Sequence, residues 1–223
     1  MARLARLVVA GLPHLVLHES HGGQALFRDD ADRAQFKLIL SEATRDHGLA
    51  LHAYSLEVEY VGLLMTPRTT EGFSRGLQLI SGRYAAAFNR RHGRSGGLWN
   101  GRFRATVLDP DAFMLSAMRF LEARDEPALG VQTSRLHHTR GDTDPLIEDH
   151  PVYWALGNTP FEREAAYRAY LEDPQEAQKL LVVEASLRKG WALGSDEAFL
   201  TRLAEATPRR AIALKPGRPR ALR

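Results

Sequence analysis

The order of strand-like and helix-like segments constrains the fold of this chain more than any other feature of its sequence. Residues 13–20, PHLVLHES, read as a strand, and apolar residues from Phe36 to Ala43 recur at helical spacing after an acidic start at Asp29. Two adjacent strands follow in LALHAYSLEVE and YVGLLMTP, the second of which ends at Pro67. These segments predict a strand, a helix and then a pair of neighbouring strands.

The next three segments complete the pattern. A second amphipathic helix is predicted over residues 71–93, where apolar residues that include Tyr84 recur every three or four positions. GLWNGRFRATVLD reads as a further strand, and PDAFMLSAMRFLEARDEP as a third helix with Pro110 near its start. The order strand-helix-strand-strand-helix-strand predicts an α+β fold, with a ferredoxin-like antiparallel sheet and helices packed on one face.

The pattern changes near residue 130, which divides the chain into three predicted parts. Residues 1–130 form the ferredoxin-like domain, and residues 131–207 form a mainly helical extension built from loops and short helices. Residues 208–223 are a basic tail with too little apolar content to fold alone.

Composition excludes several classes of protein. The 223 residues are 44% hydrophobic, which is enough for a buried core, and no apolar run is long enough to span a membrane. The first apolar run is interrupted by Pro13 and His14, so it does not read as a secretory signal, and we expect a cytoplasmic protein. The absence of cysteine excludes disulfides, thiolate catalysis and cysteine-based zinc sites.

Charge is distributed unevenly along the chain, although the formal net charge is only +3. Residues 72–108 contain seven arginines and no acidic residue. A genomic preference for arginine over lysine does not account for the missing acids. The pattern therefore favours a surface that binds a polyanion, with nucleic acid as the first candidate.

The candidate nucleic-acid contacts lie in and just after the second predicted helix. Guanidinium groups bind phosphate bidentately, and an aromatic ring can stack on an unpaired base. Trp99 can serve in this way or can fill the core instead. The candidates are Arg83, Asn89, Arg90, Arg91, Arg94, Trp99, Arg102 and Arg104.

The nine histidines do not predict a metal site. The sequence contains no His-x-His, and the adjacent His137 and His138 would point to opposite faces of a strand. Glu57 and Glu59 could share a cation with Glu122, but solvent-facing carboxylates are the favoured interpretation. No cofactor is expected.

Several long blocks of the sequence resemble the REP-associated tyrosine transposases, relatives of the single-strand HUH transposases of insertion sequences. The blocks include MARLARLVVAGLPHLV, FNRRHGRSGGLWNGRFRA, DPLIEDHPVYWALGNTPFEREAAYRAYL and RKGWALGSDEAFLTRL, and together they span nearly the whole chain. The resemblance implies a ferredoxin-like domain that cleaves and joins single-stranded DNA. In that chemistry a His-hydrophobic-His pair holds a divalent metal and a helix tyrosine attacks the phosphorus.

The residues for that chemistry are absent where the resemblance places them. The two metal-ligand positions fall on Tyr60 and Gly62, and the nucleophile position falls on Phe120. Neither residue of the pair can coordinate the metal as histidine does, and phenylalanine has no phenol oxygen. The resemblance therefore implies a scaffold that has lost catalysis.

Two further segments bear on the DNA target. Relatives commonly have Arg-Gly-Asn after the first strand, where this chain has Glu19-Ser20-His21, and this departure points to a different hairpin or guide sequence as the target. The tail segment KPGRPR resembles an AT-hook that enters an A·T-rich minor groove, with Lys215, Arg218 and Arg220 as its cations.

The sequence thus favours a catalytically inactive, transposase-derived DNA-binding protein that recognises hairpin, single-stranded or inverted-repeat DNA, as a nucleoid-associated monomer or homodimer. One alternative is an active nuclease that uses Tyr54 or Tyr60 with Glu57 and Glu59. Another is a protein-interaction subunit that docks a partner on the altered sheet face.

Overall fold

Five strands form one antiparallel sheet in the computed structural model, which describes residues 6–123, 130–194, 196–207 and 209–212. The strands are β1 (His14–Glu19), β2 (Leu49–Leu56), β3 (Tyr60–Pro67), β4 (Arg104–Val107) and β5 (Gln132–Thr133). Their order across the sheet is β4-β1-β3-β2-β5. The first four strands have the ferredoxin-like arrangement, so the predicted fold class is confirmed.

Helices α1 (Asp30–His47) and α2 (Thr70–Arg91) connect these strands in the predicted order. The side chain of Asp29 caps α1 by accepting the N–H of Asp32, and Gly48 ends the helix in the left-handed conformation. Thr69 caps α2 in the same way as Asp29. Local signals therefore fix both helices to within a few residues of their predicted bounds.

The remaining helices follow β4. Helix α3 (Pro110–Glu122) begins at a proline, and α4 (Arg135–Arg140) follows β5. They are followed by α5 (Pro151–Trp154), α6 (Pro160–Glu172), α7 (Pro174–Lys189) and α8 (Glu197–Ala206). The predicted helical extension is therefore present, and none of the described helices is long and apolar enough to cross a membrane.

Helices α1 and α2 pack on one face of the sheet, as the ferredoxin-like pattern predicts, and α3 with helices of the C-terminal extension covers the other face. Leu63 and Met65 of β3 point to the face that α1 and α2 cover. Leu64, between them, points to the other face and packs with residues of α3, α6 and α7. Successive apolar residues in β3 require a layer on each side, because strand side chains alternate between faces.

Two strand predictions extend too far. Residues 57–59 form the turn between β2 and β3, where Glu57 N–H donates to the carbonyl of Tyr60. Residues 97–103 form a loop before β4, and Gly101 has a positive φ of 69° in it. This loop brings Trp99 back against Ser20 at the end of β1.

Candidate nucleic-acid interface

The positions at which the family resemblance places the metal ligands lie on β3 and face α3. Tyr60 and Gly62 are two residues apart on the strand and therefore share a face. A Cβ atom on Gly62 would lie 2.4 Å from Cδ2 of Leu121 and 3.8 Å from Cβ of Ser55. Leu121 of α3 therefore occupies the space next to position 62.

Phe120, where the resemblance places the nucleophile, precedes Leu121 on α3 and is half-buried against the core between α3 and the sheet. The substituted positions of β3 and α3 thus lie on two elements that pack against each other. The contact between Gly62 and Leu121 is apolar.

The carboxylates considered as substitute ligands are engaged elsewhere. Glu122 is completely buried and accepts hydrogen bonds from Ser134, from Tyr167 at 2.8 Å and from Nδ1 of His138 at 2.8 Å. Glu57 is buried and accepts the Ser55 hydroxyl at 3.2 Å, so the expectation that it faces solvent is wrong. The tight turn after β2 directs its side chain inward.

His138 is a buried cation that bonds to Glu122 at the end of α3. Burial alone would lower the pKa of His138, but the negative charges of Glu122 and Asp149 and the hydrogen bond to Glu122 outweigh burial and raise the pKa to about 9. Asp149 interacts with both His137 and His138. Partial burial alone would raise the pKa of the Asp149 carboxyl, but these two histidines hold it far below its usual range.

Most arginines of the acid-free stretch are paired with acids from other parts of the chain. Arg83 pairs with Glu42 of α1, and Arg104 lies 3.3 Å from Glu19 of β1. Arg91 bonds to both Asp29 and Asp32, which raises the pKa of the Arg91 guanidinium above its ordinary value. An acid-free segment of sequence is therefore not an acid-free surface.

Arg90 and Arg102 differ from these, because both are exposed and neither forms a salt bridge within the described residues. Arg94 bonds to the side chain of Gln24. Asn89 donates to the carbonyl of Gly96 at 2.9 Å and so holds the loop after α2. Lys215, Arg218 and Arg220 lie outside the described residues.

A groove of about 560 Å³ lies between α2 and the 96–103 loop. Its charged lining residues are Arg6 and Arg102, and Trp99 and Phe103 supply its aromatic surface. The guanidinium of Arg6 lies 3.6 Å from the centre of the Phe103 ring. Glycine residues form much of the remaining wall, including Gly96, Gly97 and Gly101.

Trp99 packs partly against the core and also lines the groove, and its role in stacking on a base stays a prediction. Its indole N–H donates to the carbonyl of Ser81 at 2.9 Å, and its ring stacks on His18 with centroids 4.1 Å apart. The half-buried side chain still lines the groove. Burial lowers the pKa of His18 to about 4, so this imidazole is neutral at pH 7 and the arginines supply the charge.

The structure therefore brings Trp99 and Arg102 together and places Arg83, Arg90 and Arg91 elsewhere, on the side of α2 that meets α1. Sequence reasoning missed Arg6, His18 and Phe103 as lining residues. Arg6 lies in the first block of the family resemblance, but its position over Phe103, 97 residues away, has no local signal.

Solved structures that are similar to this chain include two transposase-type proteins. One is the REP-associated tyrosine transposase bound to a REP hairpin, with 13% identity over 55% of this chain and 71% of that chain, at a TM-score of 0.47. The other is a candidate transposase from Deinococcus radiodurans, with 23% identity over 52% of this chain and 93% of that chain, at a TM-score of 0.37. No family model and no curated protein matches the sequence.

Proposed function

We propose that this protein is a DNA-binding descendant of the REP-associated tyrosine transposases that recognises hairpin or inverted-repeat DNA without cutting it. The observation that carries this proposal is the apolar contact at Gly62, where Leu121 fills the space beside a former metal-ligand position. The blocks of sequence that resemble the family surround this contact, and the ferredoxin-like strand order agrees with them.

Loss of cleavage follows from the chemistry that the contact lacks. A phenol is a weak nucleophile and needs a metal to polarise the phosphate that it attacks. Tyr60, Gly62 and Phe120 supply neither an imidazole pair nor a phenol on α3. Three separate changes on two elements that pack against each other favour a scaffold that is kept for binding.

DNA binding is supported by the groove beside α2. Arg6 and Arg102 can neutralise phosphates at its walls, and Trp99 and Phe103 offer aromatic surface for an unpaired base. Glycine walls let a backbone or a base approach closely, because no Cβ atom stands in the way.

The alternative of an active nuclease with substitute residues is less well supported. Tyr54 is buried, and its hydroxyl donates to Asp144 at 2.7 Å. Glu57 is buried as well, whereas Glu59 is exposed, so the two do not present a common carboxylate pair.

The alternative of a protein-docking face on the altered sheet is disfavoured by burial. Gly62 is buried beneath α3, and Leu64 next to it belongs to the core shared with α6 and α7. A partner would have to displace these helices to reach that face.

The first experiment recovers DNA crosslinked to the protein in its own host and tests the most enriched fragment for cleavage with Mn²⁺. We expect discrete enriched sites, with hairpin or inverted-repeat sequence, that remain uncut over hours. A cut fragment would contradict the loss of catalysis, and an absence of enrichment would contradict DNA recognition in favour of a protein partner.

A second experiment locates the interface with fluorescently labelled hairpin DNA. Arg102→Ala should weaken binding and reduce the slope of log K against log salt by about one, as expected for one lost phosphate contact. Arg188→Ala removes an exposed arginine of α7, which pairs with Glu184, and serves as the matched control. Equal losses in the two variants would show that the groove is not the binding surface.

A further inference from the structure

Two histidines and an aspartate converge where α4 meets the segment that leads into α5. His137 and His138 are adjacent on α4, and Asp149 lies two residues before Pro151. Nε2 of His137 is 3.3 Å from Oδ1 of Asp149, and Nε2 of His138 is 3.5 Å from the same oxygen. One ligand atom from each residue lies within 4.8 Å of the other two.

His138 is held in a way that is typical of metal-bound histidines. Its side chain is only 1% exposed, and its Nδ1 lies 2.8 Å from Oε1 of the buried Glu122. Its Nε2 is buried and has no hydrogen-bond partner among the residues that the structure describes, although it is directed at Asp149. Metal-ligating histidines commonly donate their second ring N–H to such a carboxylate, which fixes the ring and leaves the other nitrogen for the metal.

We propose that His137, His138 and Asp149 form a binding site for a divalent metal ion of the zinc class, with Glu122 as the residue that orients His138. Imidazole nitrogen and carboxylate oxygen are ligands that zinc accepts, and no cysteine is required. Ligand distances of about 2.0–2.2 Å in a tetrahedron place neighbouring ligand atoms about 3.3 Å apart, close to the two separations from Asp149. Three protein ligands leave a fourth position for water.

The site extends over several elements of the second face. Glu122 ends α3, and its other oxygen accepts the hydroxyl of Tyr167 on α6. A metal would therefore connect α4 and the segment before α5 with two helices that cover the sheet. This inference is independent of the proposed DNA binding.

Metal binding requires the release of one proton and one local rearrangement. Both ring nitrogens of His138 carry a proton in the metal-free protein, so the proton on Nε2 must leave when the metal binds. Nδ1 of His137 accepts the N–H of Asp144 at 3.1 Å. A neutral imidazole that coordinates through Nε2 carries its proton on Nδ1, so coordination replaces that hydrogen bond. The backbone at Asp144 must then shift. This shift should also change the hydrogen bond that the Tyr54 hydroxyl donates to the Asp144 carboxylate.

The test titrates the full, chelator-treated chain with Zn²⁺ by calorimetry. We expect one zinc per chain, at least tenfold weaker binding in Asp149→Asn and in His137→Gln, and no competition from equimolar Mg²⁺. Asp142→Asn and His21→Gln alter exposed residues outside the three ligands and should bind zinc like the unchanged protein. Absence of binding, or equal affinity in all four variants, would overturn the proposal.

A second measurement on the unaltered chain does not depend on whether the variants fold. Nitrogen-detected NMR of the histidine rings should show zinc-induced shifts at His137 and His138, with a shifted amide signal at Asp144. Zinc-induced shifts confined to His52 and His150, which form a separate ring pair 5.1 Å apart, would place the metal elsewhere and refute the assignment.

Discussion

At Gly62, the missing side chain is what allows α3 to pack against β3. Leu121 is 2% exposed and reaches to within 2.4 Å of the place where a Cβ atom would stand. Gly62 is therefore a packing residue of this fold, whatever else its position does.

Gly62→Ala should destabilise the protein by about 1–3 kcal/mol, because the added methyl overpacks a filled core. The free energy of unfolding in urea measures the effect. In a Leu121→Ala background the penalty should shrink, since the two residues compete for the same space. Gly82→Ala is the matched control, because no heavy atom lies within 4 Å of its added methyl. Equal stability of the Gly62→Ala variant and the unchanged protein would contradict this packing.

At the scale of a single element, β1 contributes two buried histidines to the face covered by α2. His14 contacts the ring of Phe73, accepts the N–H of Val9 at Nε2 and bonds to the carbonyl of Leu12 through Nδ1. His18 stacks on Trp99. Burial lowers the pKa of each histidine to about 4, so both are neutral in the folded protein at pH 7.

These histidines predict a loss of stability in mild acid. Below about pH 6.5 the unfolded chain takes up protons that the folded chain refuses until about pH 4. The unfolded state then binds more protons, so the free energy of unfolding should fall by about 1.4 kcal/mol per pH unit for each histidine within this window.

Urea unfolding at pH 7, 6 and 5 measures this slope. His14→Gln removes one titrating group, so its slope should be smaller than that of the unchanged protein by the contribution of one histidine. The same slope in both proteins would show that His14 does not resist protonation in the fold.

At the scale of the whole molecule, the sheet and the C-terminal helices share their cores. Leu15 of β1 and Met118 of α3 pack in one cluster with Tyr167 and Leu187 of the extension. A smaller cluster joins Leu7, close to the N-terminus, to residues of α8. The boundaries drawn at residues 130 and 207 stay predictions, but the parts on either side of residue 130 bury each other's apolar surface.

A chain that ends at residue 130 should therefore fail to fold cooperatively, because the second face of its sheet and α3 would be exposed to water. Circular dichroism during thermal unfolding measures whether the transition of the shortened chain is cooperative. A chain that ends at residue 212 keeps all described elements and should unfold like the full chain. A cooperative transition in the shorter chain would show that the first 130 residues are an independent domain.

The sequence by itself determined the order of the elements, the bounds of α1 and α2 and the burial of Tyr84, because caps, glycines and apolar spacing act within a few residues. Tertiary structure decided which face each helix covers, since the stripe on α3 fits either side of a sheet that is apolar on both. The run VGLLM in β3 did carry a signal for two covered faces. Its consecutive apolar residues point to alternate sides.

Tertiary structure also decided which charges remain available and where side chains converge. Arg91 looks unpaired in the sequence, but its acids come from a helix start 59 and 62 residues earlier. His137 and His138 would diverge on a strand, yet on α4 their rings lie 4.9 Å apart, and Glu122 and Asp149 reach them from other segments. Such encounters depend on long-range packing, which no local pattern of residues encodes.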